Sequence, residues 1–175
     1  TRDGYATLLG PDASGSALLF DLELEYQPAL LRSDGTRAGT AVLDAPFTST
    51  FAMSSAGKAP LYFIDGTDLW RSDGTSAGTS KVRDLRGLVS HDFQDSVYFD
   101  AVEVLDGVLY AVLGGGEWLR SDGTAAGTVV LARDVGYSRF ASLITRLGDR
   151  VVAVTSGVWS TRGTPASTQR VSSLP

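Results

Sequence analysis

The sequence contains no cysteine and no asparagine. Without cysteine there can be no disulfide bond, no thiol nucleophile and no cysteine-ligated zinc site. Without asparagine there is no acceptor for an N-linked glycan. Lysine occurs only at Lys58 and Lys81, and we interpret this bias as that of a high-GC bacterial genome. Apolar runs such as residues 108–113 are far too short to cross a bilayer, so the sequence predicts a chain that does not span a membrane.

Clustered positive charge is also missing. The net charge is −5 over 175 residues, and the basic residues form neither a tail nor a block. Proteins that bind nucleic acid neutralise phosphates with clustered Lys and Arg, so this composition excludes a nucleic-acid partner. The chain does have 43% hydrophobic residues, enough for a sizeable core, and a length typical of one domain.

A repeated nine-residue motif organises the sequence. Arg-Ser-Asp-Gly-Thr-x-Ala-Gly-Thr begins at Arg32, Arg71 and Arg120, and a degenerate copy, Ser-Thr-Arg-Gly-Thr-Pro-Ala-Ser-Thr, begins at Ser160. The central glycines, spaced by 39, 49 and 40 residues, are Gly35, Gly74, Gly123 and Gly163. Periods of about 40–50 residues with strand-like segments are typical of β-propeller blades.

The segments between the copies have the pattern of short strands joined by turns. In the fourth unit these segments are residues 142–146, 150–155, 158–161 and 168–171, and the third unit has the same plan. No segment combines helical periodicity with capping residues. The sequence therefore predicts an all-β fold, a β-propeller of four blades of four antiparallel strands in a single domain over residues 1–175. The approximate blades are residues 1–45, 46–86, 87–136 and 137–175.

The repeated motif lies between the last two strands of each blade, which we name C and D in the order A to D. An Asp-Gly pair between apolar runs is typical of a hairpin, because glycine accepts positive φ and Asp can bond its own backbone. We interpret the motif as a turn that sets blade geometry rather than as a ligand site. Trp70 and Trp159 are predicted core residues rather than sugar-stacking platforms.

These units resemble the bacterial ELWxxDGTxxGT repeat, a propeller-like repeat of large secreted or surface proteins. Asp68-Leu69-Trp70 is close to its first three letters, and Glu117-Trp118-Leu119 permutes them. Arg162 replaces the turn aspartate in the fourth unit, as expected of an atypical terminal repeat. The resemblance implies a secreted or cell-surface bacterial protein that functions in adhesion or protein interaction. It implies no catalytic residues.

Two arrangements of the blades are open. Four units match the low end of the known range of roughly 4–8 blades, so they can form a closed single-chain ring. Alternatively they form part of a larger propeller that another chain or copy completes, which makes a homo-oligomer possible. The sequence favours the closed ring on size alone.

Departures from the repeat mark the candidate binding surface, because binding residues tend to lie on variable loops over a rigid scaffold. One insertion, residues 87–99, precedes blade 3, and a second lengthens the B–C region of blade 1 at residues 21–28. Both are predicted at the edge that carries the B–C and D–A connections. The candidate ligand-binding residues there are His91, Asp92, Phe93, Gln94, Tyr98 and Tyr26. His91 beside Asp92 has the chemistry of a metal ligand or a general base, but a lone histidine is more often an ordinary loop residue.

A carboxylate series gives the one candidate metal site. Asp21, Glu23 and Glu25 alternate, so on a strand they share one face, and carboxylate oxygens are ligands that Ca²⁺ prefers. A solvated acidic edge that discourages strand pairing explains the same pattern and is favoured. No cofactor is therefore expected.

The sequence favours a non-catalytic extracellular module that binds a protein partner through the surface of the two insertions. The alternatives are a lectin-like or small-ligand propeller that uses the same edge, with a glycan as partner, and a hydrolase of the kind built on larger propellers. A hydrolase needs convergent carboxylates or a histidine pair, and the sequence has little of either.

Overall fold

The computed structural model describes residues 5–12, 14–24, 27–43, 51–52, 60–89, 97–136 and 143–173. These residues form four four-stranded antiparallel sheets in which each strand pairs with its neighbours in chain order. The predicted all-β fold is confirmed, and the chain has the architecture of a β-propeller with four blades. The helix present among the described residues is a single 3₁₀ turn, Pro165–Ser167.

The strands of the first two sheets follow the predicted order A to D. The first sheet consists of β1 (Tyr5–Pro11), β2 (Leu18–Leu24), β3 (Gln27–Ser33) and β4 (Ala41–Leu43). The second consists of β5 (Phe51–Ala52), β6 (Leu61–Asp65), β7 (Asp68–Ser72) and β8 (Ser80–Asp84).

The last two sheets agree closely with the strand segments predicted from the sequence. The third consists of β9 (Phe99–Leu105), β10 (Val108–Leu113), β11 (Trp118–Ser121) and β12 (Val129–Ala132). The fourth consists of β13 (Leu143–Leu147), β14 (Arg150–Val154), β15 (Gly157–Thr161) and β16 (Gln169–Ser173). In every sheet the repeated motif joins strands C and D, as predicted.

The chain divides into two compact units, Thr1–Asp84 and Leu85–Pro175, each containing two sheets. In the first unit Leu19 and Leu30 of the first sheet pack with Phe63 and Trp70 of the second, and the two aromatic rings stack with centroids 6.2 Å apart. Trp70 is buried, as predicted from its place before the motif. That all four blades form one domain stays a prediction.

The second unit has its own apolar cluster. Val112 and Trp118 of the third sheet pack with Val151 and Ala153 of the fourth. Trp159 is partly buried against this cluster, in keeping with its predicted core role. Within each unit, therefore, two successive sheets bury apolar side chains against one another, which is the main stabilising contribution expected of stacked blades.

The predicted insertion at residues 21–28 is taken up by strand rather than by loop. β2 and β3 pair residue by residue from Leu18 opposite Ser33 to Leu24 opposite Gln27. The alternation Asp-Leu-Glu-Leu at residues 21–24 continues the strand period, so the chain extends the hairpin instead of leaving it.

Candidate functional site

The repeated turn between strands C and D satisfies its own polar groups. In the first sheet the Asp34 carboxylate accepts hydrogen bonds from the Thr36 N–H at 2.9 Å and the Thr36 hydroxyl at 2.8 Å. The Gly39 N–H donates to Thr36 Oγ1 at 3.0 Å, and the Thr40 hydroxyl donates to the Thr36 carbonyl at 2.6 Å. The second and third sheets repeat these bonds. The polar groups of the motif therefore bond to one another within the turn, as the turn interpretation predicts.

The second glycine of the motif is required by the aspartate. A Cβ added to Gly39 would overlap the Asp34 carboxylate, and the same holds for Gly78 with Asp73 and for Gly127 with Asp122. The first glycine has φ between +86° and +93° in all four copies, a conformation that L side chains rarely adopt. The two positions of the motif thus require glycine for different physical reasons, the first for its positive φ and the second for lack of space.

The fourth copy replaces both interacting partners at once. Arg162 stands in the aspartate position and Ser167 in the second glycine position. The Ser167 hydroxyl oxygen accepts from the Thr164 N–H at 3.2 Å and from the Arg162 N–H at 3.1 Å. A side-chain oxygen thus reaches the threonine amide from the opposite side of the turn, and without the carboxylate there is no clash with the serine Cβ.

A pocket lies between the first two sheets at their A–B and C–D edge. It has a volume of about 600 Å³ and is lined by Asp12, Ser14, Arg32, Asp73, Gly74 and Thr75. Arg32 makes a two-pronged contact with Asp12, with Nε at 3.2 Å and Nη2 at 3.0 Å from Oδ2. A Cβ on Gly74 would press on the Asp12 side chain, so the turn of the second sheet packs directly on this ion pair.

Asp12 is an acid whose pKa is strongly lowered. Its burial opposes ionisation, but hydrogen bonds from Ser14, Arg32 and the amides of Ala17 and Ser16 outweigh burial and lower its pKa to about 2. Asp12 is only 3% exposed. A carboxylate held ionised by the Ser14 hydroxyl, the Arg32 guanidinium and two backbone amides is a structural anchor and is poorly suited to accept a proton near neutral pH.

A second pocket of about 390 Å³ lies at the same edge of the first sheet. It is lined by Gly15, Ser16, Ala17, Leu18, Phe20, Ser33, Asp34 and Gly35. The sequence placed the candidate site at the opposite edge and did not single out either pocket. Both pockets are lined by residues of the A–B loop of blade 1. In the sequence this loop differs from the Asp-Gly turn at residues 106–107 only by its greater length.

Acidic residues at the start of strand C form ion pairs with strand D or the residue after it. Lys81 Nζ lies 2.6 Å from Asp68 Oδ2, and Arg133 Nη1 lies 3.7 Å from Glu117 Oε1. Glu117 is fully buried. In the sequence these two acids stand out only as part of the segments that resemble the repeat. Their partners could not be predicted, because no short-range pattern links the paired positions.

Tyr98 is the described member of the predicted ligand-binding set. Its side chain is 47% exposed, whereas the preceding Val97 is fully buried. The Gly114 N–H donates to the Tyr98 carbonyl at 3.0 Å, and a Cβ on Gly114 would overlap the Tyr98 ring. The ring therefore lies directly over the B–C turn at residues 114–116, in which Gly116 accepts a bond from Val135.

The other predicted site residues lie mostly outside the described residues. His91, Asp92, Phe93 and Gln94, and likewise Glu25 and Tyr26, are not among them. Asp21 and Glu23 lie on β2 opposite Leu30 and Pro28, at positions that share a face of the strand. Both the ligand-binding surface and the Ca²⁺ site stay predictions.

Two further properties of the described part of the chain bear on function. Within it, no group of three or more His, Cys, Asp or Glu residues is arranged to hold a metal ion. Nor does that part contain a helix with the length and apolarity needed to cross a membrane.

No protein-family model and no curated protein matches this sequence. Solved structures do match its fold. PorZ, an essential bacterial surface component of the type-IX secretion system of Porphyromonas gingivalis, is 14% identical with a TM-score of 0.58, over 98% of this chain and 23% of that chain. A nidogen/laminin complex gives 11% identity and a TM-score of 0.55, over 95% of this chain and 65% of that chain.

An enzyme is also among the matching structures. Puromycin hydrolase is 13% identical with a TM-score of 0.54, over 96% of this chain and 28% of that chain. The chain spans less than two thirds of each of these three proteins. At such low identities the likeness shows the β-propeller fold and nothing about activity.

Proposed function

We propose that this β-propeller is a non-catalytic binding module of a secreted or cell-surface bacterial protein, and that it recognises a protein partner through the edge that carries residues 87–99. The observation that carries the proposal is the exposed Tyr98 ring, held over the B–C turn of the third sheet. Aromatic side chains that are rigid before binding contribute much of the energy of protein interfaces, because little conformational entropy is lost on binding.

The segment around Tyr98 is anchored at both described ends. Leu85 and Val97 are fully buried on either side of the variable residues. The N–H groups of Leu88 and Val89 both donate to the Leu85 carbonyl, at 2.8 and 3.1 Å. A variable segment fixed at both ends to a rigid sheet is the arrangement that binding loops share. It supports the predicted place of His91 and Phe93 in the same surface.

The use of the carboxylates supports a non-catalytic role. Four acids of the described residues form structural contacts: Asp12 with Arg32, Asp68 with Lys81, Glu117 with Arg133, and Asp34 with its own turn. Acid–base catalysis needs a group whose pKa lies near the working pH. The pKa of Asp12 and that of Asp34 are instead lowered, the latter first of all by the Thr36 N–H.

The test uses peptides selected from a random phage-display library panned on the immobilised chain. Tyr98→Ala is expected to weaken binding of the selected peptides by about tenfold or more, the effect of losing one interface hot spot. The chain should remain folded, because the ring is half exposed, and circular dichroism checks this. Phe93→Ala is expected to act in the same direction, and isothermal titration calorimetry gives each affinity.

Arg37→Ala is the matched control, since Arg37 is exposed and belongs to a C–D turn at the other edge. Its affinities should equal those of the wild type. Full affinity in Tyr98→Ala would reject this surface as the binding site. A glycan array on which the wild type binds while no peptide is selected would replace the proposal with the lectin-like alternative.

A further inference from the structure

The B–C turn of the third sheet consists of three consecutive glycines, residues 114–116, which we call the glycine turn. The Gly116 N–H donates to the Leu113 carbonyl at 2.8 Å, and the Leu113 N–H donates to the Glu117 carbonyl at the same distance. These bonds fix the turn at the end of its hairpin. Because no side chain rises from the glycine turn, the groups at its two ends determine what can bind over it.

An aromatic ring lies at the first end of the glycine turn. The ring of Tyr98 contacts Gly114 so closely that a Cβ on this glycine would overlap it. The Tyr98 carbonyl also accepts a hydrogen bond from the Gly114 N–H. The side chain is nevertheless 47% exposed, so part of the ring is accessible to a partner.

An acidic residue lies at the second end of the glycine turn. A Cβ on Gly116 would stand 3.8 Å from the Cα of Asp134, and the Val135 N–H donates to the Gly116 carbonyl at 2.9 Å. Asp134 is exposed. The glycine turn is thus flanked by the Tyr98 ring at one end and by Asp134 at the other.

The segment that carries Asp134 is held in place by the fourth sheet. Val135 is fully buried, and its carbonyl accepts hydrogen bonds from the Thr155 hydroxyl and, at 3.3 Å, from the Ser156 hydroxyl. The backbone at Asp134 is therefore fixed before a partner binds, as it is at Tyr98. Binding over the glycine turn consequently requires little ordering of the backbone.

The charge of Asp134 is not used within the part of the chain that the structure describes. There, no hydrogen bond or ion pair engages its carboxylate. The cation next to it in sequence, Arg133, pairs instead with the buried Glu117 at 3.7 Å. The four acids listed under the proposed function have structural partners, so Asp134 differs from them in presenting its charge to solvent beside an exposed aromatic ring.

We propose that the partner protein contributes an arginine side chain that binds over the glycine turn, with its guanidinium group between the Tyr98 ring and the Asp134 carboxylate. This rests on the proposed function, since it names the chemistry recognised at the same edge. A guanidinium group stacks on aromatic rings and forms paired hydrogen bonds with carboxylates. Its apolar stem can lie along the glycine turn, where no side chain opposes it.

The charge of the whole chain favours a basic partner. Asp and Glu number 20 against 15 Lys and Arg, which gives a net charge of −5. A negatively charged protein attracts a positively charged partner over distances longer than a contact, and this raises the association rate at low ionic strength. The local charge at Asp134 and the net charge thus have the same sign.

The test titrates the chain with N-acetyl-arginine amide and, separately, with N-acetyl-citrulline amide, which has nearly the same shape but no charge. Two-dimensional NMR follows the backbone amide resonances of residues 114–116. The arginine probe is expected to shift them and the citrulline probe is not. Asp134→Asn should abolish the shifts, and it should remain folded because asparagine also accepts the φ of +55° found here. Asp106→Asn is the matched control, since Asp106 is an exposed acid with a φ of +52° at the other edge of the same sheet.

The peptides selected by phage display give a second measurement. They should be enriched in arginine, and Asp134→Asn should weaken their binding about fivefold, by an amount that shrinks as salt is added. Equal shifts with both probes, or shifts that persist in Asp134→Asn, would overturn the assignment of an arginine to this surface. If the arginine probe causes no shift while Tyr98→Ala still weakens the selected peptides, the arginine is wrong and the proposed function stands. Full peptide affinity in Tyr98→Ala would instead reject the proposed function itself.

Discussion

Asp12 shows how one side chain ties two blades together. Its carboxylate receives the Arg32 guanidinium on one oxygen and the Ser14 hydroxyl and two amides on the other. The turn glycine of the next sheet, Gly74, leaves room for it. Because the folded state holds the pKa at about 2 rather than 3.8, folding favours the ionised form.

This contribution has a definite sign and pH window. It is complete above the ordinary pKa of 3.8 and is lost as the pH falls through about 2. At about 1.4 kcal/mol per pKa unit the free energy of unfolding contains roughly 2 kcal/mol from this group. We expect Asp12→Asn to lower the free energy of unfolding by about that amount at neutral pH, because asparagine keeps the amide bonds and loses the ion pair.

Urea unfolding followed by tryptophan fluorescence at a series of pH values checks this expectation. The curves of wild type and Asp12→Asn should converge as the pH falls toward about 2, where the wild-type carboxyl is itself protonated. Asp134→Asn, at an exposed position, serves as the control. A gap between wild type and Asp12→Asn that stays constant down to the lowest pH would contradict the ionic explanation.

The C–D turn is the element in which local chemistry is most complete. Within nine residues it combines an aspartate, a positive-φ glycine, two threonines and a glycine that has no room for a side chain. The fourth copy shows that the aspartate and the second glycine vary together. Arg162 and Ser167 replace them, and the serine hydroxyl takes over the bond to the threonine amide.

A transplant of the fourth turn into the third sheet tests this coupling. Gly127→Ser alone should destabilise the chain by roughly 2 kcal/mol, because the new Cβ meets the Asp122 carboxylate. Adding Asp122→Arg should recover much of the loss, giving a coupling free energy within about 0.5–3 kcal/mol. A double-mutant cycle of urea unfolding measures it. Additive effects of the two substitutions would show that the turns are not interchangeable in this way.

At the scale of the whole molecule, several structural acids act together at low pH. The pKa of Asp122 is lowered, first by the Thr124 hydroxyl, and that of Asp149 is lowered, first by Arg162. With Asp12 and Asp34 this makes four acids whose folded state favours the charged form. Stability from each is present above the ordinary carboxyl pKa and is lost as the pH falls through the lowered one.

The melting temperature is therefore expected to fall steeply between about pH 4 and pH 2. Differential scanning calorimetry at constant ionic strength checks this, and Asp12→Asn should show a shallower fall than the wild type. A melting temperature that stays level over this interval would contradict the assignment of these acids as structural anchors.

Much of the fold could be predicted from the sequence because its signals are local. The strands around residues 108–113 and 150–155 follow the strand alternation, and the turn at Gly123 follows turn chemistry within a few residues. The extended hairpin of β2 and β3 was predicted only as a lengthened B–C region of blade 1, since the extra length of a segment does not reveal whether its residues pair.

The candidate site was less predictable. Tyr98 was identified because it lies in a departure from the repeat, but its contact with Gly114 depends on how two connections meet at a sheet edge. Asp12 and Glu117 were missed because their partners, Arg32 and Arg133, are 20 and 16 residues away in the chain.

The sequence by itself determined the repeat, the strand order and the self-satisfied turns, since each of these rests on interactions within one hairpin. Only the tertiary structure decided which faces are covered. Leu18 and Leu61 occupy the same position of the repeat, yet one is exposed and the other buried. Burial depends on the neighbouring sheet and not on the residue itself, because a side chain is removed from water only where another sheet packs on it.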